Sequence, residues 1–506
     1  MRARTMGLMI ALALGCGDDV TQTGDEGSSS GTSTQQPTSG SGGPSTSGST
    51  TQGPTSGSTT TEADSSSGTG FEPPDPACGN GFVEDGEECD DANDDNEDGC
   101  TAACALRCGL EWSAVVLPPT DTSIIDARDV DANARGGAAV GGFLREITTD
   151  QRGNETILDD EGIVVRISPD GETLWTTAIE VAGFDAEVTG VAMDDAGNVY
   201  VSVTVGAVDD DGDIRLYKLD PLGAVLWFSE FDSAVDTAED SSFGVAIGGD
   251  GNPVITGQVR VAVGDNDVWV ASYDAASGDE IWTSTWSGES NEGFSTDSAG
   301  PMSIGVDGTV YLYVGEYVDF QTRLATVLAF DGAGGAATEI FSPEVGIGGG
   351  EFVPMDVSAE PGGTLLLTSI RLFPGENTYH LERVDLGSGE VTWAVDGPFF
   401  EDALGARGAA GFTLFAADPL DTGGVVVSGL LERSAEDATW VETWVARFDE
   451  TDAVDCTFVR ESPQLSFIPG SLFGRTMSAG GSGQAVVAAQ EVEGGLSIWI
   501  GAFRPD

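Results

Sequence analysis

Gly190-Val191-Ala192-Met193, the turn Asp195-Ala196-Gly197-Asn198, Val199-Tyr200-Val201, then Ile214-Arg215-Leu216-Tyr217-Lys218-Leu219-Asp220, the turn Pro221-Leu222-Gly223 and Ala224-Val225-Leu226-Trp227: this stretch holds four β-type runs parted by turn residues. Alternating β-branched and aromatic residues bounded by Gly, Asn and Asp are hairpin chemistry. The next unit copies it as Gly244-Val245-Ala246-Ile247, Gly251-Asn252, Val268-Trp269-Val270-Ala271-Ser272-Tyr273-Asp274, Gly278 and Trp282. Each unit therefore reads strand, tight turn, strand, loop, strand, tight turn, strand.

The same glycine-then-strand phrase starts at Gly136, Gly197, Gly251, Gly308, Gly363, Gly424 and Gly483. Seven copies of a four-stranded unit, with no helical pattern between them, predict an all-β fold, a seven-bladed β-propeller. A fourth-strand aromatic recurs at Trp175, Trp227, Trp282, Phe341, Trp393 and Phe458. The last repeat stops at Ile498-Trp499-Ile500-Gly501-Ala502-Phe503 without its closing strand, and the missing piece stands before the first repeat as Gly109-Leu110-Glu111-Trp112. The N-terminal strand is thus expected to complete the last blade and close the ring, leaving these seven aromatics to pack blade on blade.

Ahead of the propeller, expected over 109–506, three other segments are legible. Arg2 and Arg4 precede the apolar run Met6 to Leu14 and then Gly15-Cys16. That run is too short to span a bilayer. It resembles a bacterial lipoprotein signal over 1–15, which implies cleavage before Cys16, lipidation of its thiol, and membrane attachment by that anchor alone. Residues 16–77 are mostly Ser, Thr, Gly and Pro and should form a disordered tether, because they cannot bury enough apolar surface to offset chain entropy. Residues 78–108 hold Cys78-Gly79-Asn80-Gly81, Glu88-Cys89-Asp90-Asp91, Asp98-Gly99-Cys100, Cys104 and Cys108. The first four cysteines and their flanks resemble the cysteine-rich repeat of myxobacterial surface proteins. A module that small needs cross-links, and three pairings of four cysteines are open. Cys108 and Cys456 are then left over, and parity suggests a bridge between them; free buried thiols, or Cys108 pairing inside the module, are the alternatives.

Charge narrows the partners. Twenty Lys and Arg against 85 Asp and Glu give 20 − 85 = −65. Such a field repels nucleic acid and anionic headgroups and attracts cationic partners. His380 is the single histidine and reads as a strand residue. The acidic runs Asp90 to Asp98 and Asp209-Asp210-Asp211-Gly212-Asp213 carry the oxygen ligands that calcium takes, against the simpler reading of solvated loops.

The repeats resemble bacterial β-propeller repeats, those of quinoprotein-like propellers included. Asp274, Ser277, Gly278 and Trp282, and again Asp385, Ser388, Gly389 and Trp393, match that family's blade-docking phrase. The resemblance implies architecture rather than activity. The expected protein is a monomeric, non-enzymatic lipoprotein of the outer membrane, exposed at the cell surface. Its propeller would bind a protein or polysaccharide, with no cofactor beyond the calcium alternative. A quinoprotein-like oxidoreductase and a periplasmic envelope-assembly scaffold are the competing expectations.

Overall fold

The computed structural model describes residues 108–504, apart from 121–122, 134–136, 150–154, 207–211, 234–239, 263–264, 289–296, 320–321, 343–350, 374–375, 405–410, 421–423, 436–437, 450, 461–476, 481–483 and 492–496. Cys16, the tether and Cys78, Cys89, Cys100 and Cys104 lie outside the described residues, as does most of Asp209–Asp213.

Strand β1 (Gly109–Val116) comes first and belongs, as shown below, to the last blade. Blade 1 is β2 (Ser123–Ala132), β3 (Ala138–Thr149), β4 (Glu155–Ile167) and β5 (Thr173–Ile179); blade 2 is β6 (Ala186–Met193), β7 (Val199–Val205), β8 (Asp213–Leu219) and β9 (Val225–Phe231). Blade 3 is β10 (Ser241–Ile247), β11 (Pro253–Ala262), β12 (Asp265–Tyr273) and β13 (Glu280–Trp286). Blade 4 is β14 (Met302–Ile304), β15 (Val310–Asp319), β16 (Thr322–Phe330) and β17 (Thr338–Phe341). Blade 5 is β18 (Glu351–Glu360), β19 (Thr364–Phe373), β20 (Glu376–Asp385) and β21 (Val391–Asp396), after which comes a helix, α1 (Gly397–Ala403). Blade 6 is β22 (Gly411–Pro419), β23 (Val425–Ala435), β24 (Ala438–Phe448) and β25 (Val454–Arg460). Blade 7 supplies only β26 (Met477–Gly480), β27 (Gln484–Glu491) and β28 (Ser497–Arg504) from the C-terminus. Its fourth strand is β1, antiparallel to β28 with Trp112 opposite Ala502 and Val116 opposite Ile498. The ring is closed by the pairing of β1 with β28, as the sequence led us to expect.

The seven first strands contact one another in order, and β26 returns to β2, so they form the innermost ring. A strand at the inner edge carries main-chain groups that no fifth strand can satisfy. Short polar side chains of the neighbouring blade meet them. The Val191 amide donates to Asp129 Oδ2 (2.8 Å) and the Met193 amide to Asp131 Oδ2 (2.7 Å). Ala417 donates to Asp356 Oδ2 (3.1 Å) and Ala479 to Asp418 Oδ2 (3.0 Å). Ser303 and Ser478 accept the amides of Ala359 (3.0 Å) and Ala132 (3.2 Å) in the same manner. Asp129, Asp356 and Asp418 are buried for this purpose.

At the outer end of each blade, fourth-strand tryptophans lie on the next blade's last turn. The Trp175 indole donates to the Pro221 carbonyl (3.0 Å) and Trp282 to the Gly332 carbonyl (3.0 Å). Gly223 and Gly278 hold positive φ there (85° and 77°), and a Cβ on either would come within 2.8 Å of Trp175 or Trp227. Trp112 covers Gly171 in the same way across the seam between the last blade and the first. Trp393 packs edge-on to Phe448 (5.1 Å), and Phe458 packs on Phe503 (4.8 Å). Phe341 packs with the core shared by blades 4 and 5.

Two features complete the closure. Cys108 and Cys456 are bonded, tying the start of β1 to β25 of the preceding blade. Helix α1 corrects the expectation of a chain without helical pattern: Phe400 is fully buried against Phe412, Trp444 and Phe448 between blades 5 and 6. Burial of Phe400 holds this short helix, and Pro398 in its first turn suits a helix start.

Candidate functional site

In a four-stranded antiparallel blade, the first-to-second and third-to-fourth turns share one face of the ring. The second-to-third and blade-to-blade connections share the other. Turns on the first face are short in every blade, the longest being 331–337. Their own aspartates lock them. Asp194 Oδ1 accepts the Asn198 amide (2.8 Å), and Asp220 Oδ1 accepts the amides of Leu222 (2.8 Å) and Ala224 (2.9 Å). In the docking phrases, Asp274 Oδ1 accepts the Ser277 amide (2.8 Å), and Asp385 Oδ1 that of Ser388 (2.8 Å). At the opposite face the strands are joined by stretches of unequal length, six residues at 180–185 and nine at 232–240. Variable excursions on a rigid ring are where recognition is built.

On that face, blades 1 to 3 bring together residues that the sequence did not single out. In blade 1, Arg145 holds Asp160 with two donors (Nε to Oδ1 2.8 Å, Nη2 to Oδ2 2.6 Å). Arg128, the extra residue of a β-bulge in β2, reaches across to Glu187 of β6 (2.5 Å). Both guanidinium groups lie over the buried Phe143 ring, at 5.0 and 4.7 Å. Asp126 sits beneath them, 4% exposed. Burial pushes its carboxyl up to about 7; Arg128 opposes the rise, Glu187 adds to it, and Arg145 opposes it further.

The next seam carries a cluster of hydroxyls. Thr189, the bulge residue of β6, contacts the Ser242 hydroxyl (2.6 Å), which also meets Thr204 (3.2 Å). Phe243, the bulge residue of β10, stays 37% exposed, and Phe184, in the connection before β6, 55%. A bulge thus re-aims one residue of the inner strand in each of these blades: Arg128, Thr189 and Phe243. The arrangement offers charge, hydroxyls and aromatic surface side by side, which suits recognition of a partner.

The other expected chemistry lies apart from it. His380 is on β20 opposite Ser369, at the strand position that holds the buried Trp269, Trp444 and Trp499 in blades 3, 6 and 7. Its Nε2 lies 3.1 Å from Thr378 Oγ1, and burial, with Arg371 beside it, holds the imidazole below its usual pKa against the pull of Asp396. Among the described residues, no three His, Cys, Asp or Glu side chains are placed to share a metal ion. None of their helices is long and apolar enough to cross a membrane.

Known proteins resemble parts of this chain. A family model described as outer membrane protein assembly factor BamB matches residues 160–343, from the third strand of blade 1 to just past the end of blade 4. No curated protein matches the sequence. Among solved structures, a Dyadobacter fermentans protein of unknown function is 11% identical with a TM-score of 0.45, over 78% of this chain and 98% of that one. The β-propeller domain of the Pyrococcus furiosus Trilobed protease is 11% identical with a TM-score of 0.40, over 76% and 94%. Quinohemoprotein alcohol dehydrogenase from Comamonas testosteroni is 14% identical with a TM-score of 0.35, over 75% and 66%. At such distances they say nothing of this chain's activity.

Proposed function

We propose that this protein is a non-enzymatic binding platform of the cell envelope, whose propeller engages a protein or polysaccharide through the face of blades 1 to 3 that lies opposite the short turns. The observation that carries this reading is the contrast between faces: one locked by aspartate-capped turns, the other presenting the bulge residues Arg128, Thr189 and Phe243 with the exposed Phe184. The partly buried side chains there are held by one another, a preorganisation that suits recognition. Cys16 and the tether would supply the anchor, with the head outside the cell.

A second reading, a periplasm-facing scaffold for envelope assembly, draws on the family match over 160–343. Protease shaving of intact cells separates the two: released propeller peptides favour the surface platform, and release only after outer-membrane rupture favours the scaffold. For the platform itself, solubilised envelope material is passed over the wild-type protein and over Phe184→Ser/Phe243→Ser. Retention that the double variant loses is expected, with protease or periodate treatment of the material identifying protein or polysaccharide. Equal retention by both would refute the assignment of this face. Reduction of an artificial dye on adding pyrroloquinoline quinone and calcium would favour the oxidoreductase instead.

A further inference from the structure

Every fourth strand of the ring carries a β-bulge, directly before the blade-packing aromatic in six blades and before Cys456 in blade 6. The skipped residues are Leu174, Leu226, Ile281, Ile340, Thr392, Asp455 and, in β1, Glu111. These strands are the outer edges of their sheets, and a bulge is one means of keeping an edge from pairing with other chains. Polar residues at the position in blades 5 and 7, Thr392 and Glu111, serve that end. Blades 1, 2 and 3 instead place an aliphatic side chain there, and all three are about half exposed: Leu174 55%, Leu226 55% and Ile281 50%. The middle blade adds Leu222 at 83% and Phe228 at 54%. An apolar arc repeated at one height on three successive blades is not the scatter of single exposed hydrophobics that a surface normally shows.

The exposed charges in the turns beside this arc are acidic. Asp170, Glu172, Asp279 and Glu280 are exposed in the adjoining turns and strand ends. The cations of the same blades are buried or paired, Arg215 within the arc itself. Arg166 is buried and donates to the Ala138 carbonyl (2.8 Å), and Lys218 is buried and donates to the Ala275 carbonyl (2.7 Å). Arg215 is held by Glu230 (2.6 Å) and lies over Phe228. An anionic membrane would be repelled by such a rim, and so would a second copy of a chain carrying −65.

We infer that the outer wall of blades 1 to 3 is a docking surface for a cationic, apolar segment of a partner protein, its aliphatic side chains on Leu174, Leu226 and Ile281 and its Lys or Arg residues against the acidic turns. This surface is separate from the face opposite the short turns and does not depend on that assignment. The probe is an extended peptide of about ten residues alternating Leu and Lys, compared with a Ser–Lys peptide of equal charge by fluorescence anisotropy at physiological salt. The wild-type protein should bind the Leu–Lys peptide at least about tenfold more tightly. Leu174→Ser/Leu226→Ser/Ile281→Ser should abolish that difference with an unchanged unfolding temperature, whereas Val306→Ser, at an exposed turn of blade 4, should keep it. Equal binding of both peptides, or undiminished preference in the triple variant, would overturn the inference. So would a wild-type dimer in sedimentation that the triple variant lacks, which would make a second copy the occupant, or competition by phosphatidylcholine vesicles, which would make it lipid.

Discussion

Asp126→Asn isolates the electrostatics of the blade 1–2 seam. Burial, which disfavours the charged form, pushes this carboxyl up to about 7 from its ordinary value of 3.8. A raised carboxyl means that the native state binds the proton more tightly than the unfolded chain. Stability is then unaffected below about pH 4, falls as pH rises through the interval between the two values, and stays lowered above about 7. The gap of roughly three units, at 1.36 kcal/mol each, sets the alkaline cost at about 4 kcal/mol. Asparagine mimics the neutral acid and cannot titrate, so the variant should gain most of that amount at pH 8 and little at pH 4. With an unfolding entropy near 2.1 cal/mol/K per residue over a propeller of roughly 400 residues, the gain corresponds to about 5 °C in unfolding temperature. Scanning calorimetry of both proteins from pH 4 to 8 reads it directly. Curves that run parallel across that range, or a variant less stable at pH 8 than at pH 4 relative to wild type, would refute the assignment of Asp126 as a buried acid that must ionise.

Two other perturbations test the closure of the ring. Cys108→Ser/Cys456→Ser opens a link spanning 348 residues; the chain-entropy limit for such a loop is about 6 kcal/mol and native bridges commonly give 2–5, so a urea midpoint unchanged by the double substitution would show the bond to be dispensable. Asp356→Ala should cost about 1–3 kcal/mol by leaving the buried Ala417 amide without its acceptor, and hydrogen exchange at Ala417 should quicken, an effect absent if water replaces the carboxylate fully.

Much of the ring was legible because its determinants are local and repeated. Gly197, Gly251 and Gly308 mark turns that need positive φ, and Trp175, Trp227 and Trp282 mark the seams. Glu111 and Trp112, far from the last repeat in sequence, were readable as its fourth strand because the repeat lacked one. The buried carboxylates were not legible. Asp129, Asp356 and Asp418 look like any others in a chain with 85 acidic residues, and only the ring shows that they accept amides one repeat away. Their signal is positional: Asp129-Val130-Asp131 and Asp356-Val357-Ser358 stand at the same place in the first strand. The bulges escaped for a different reason, since a skipped residue alters register without altering composition. The Arg128–Glu187 contact, the hydroxyl seam at Thr189 and Ser242, and the exposure of Phe243 all follow from them. Helix α1 was missed because a helix of seven residues, about two turns, carries no period to read.

The account rests on a division of labour between the faces, and site-specific photo-cross-linking in living cells tests it most directly. A photoreactive phenylalanine would be placed at Phe184 or Phe243 on the face opposite the short turns, and at Asp250 or Val306 in those turns. Cross-linked partners from the first pair and none from the second are expected. Products from Asp250 or Val306 alone would contradict it, and would move recognition to the face that the aspartate-locked turns occupy.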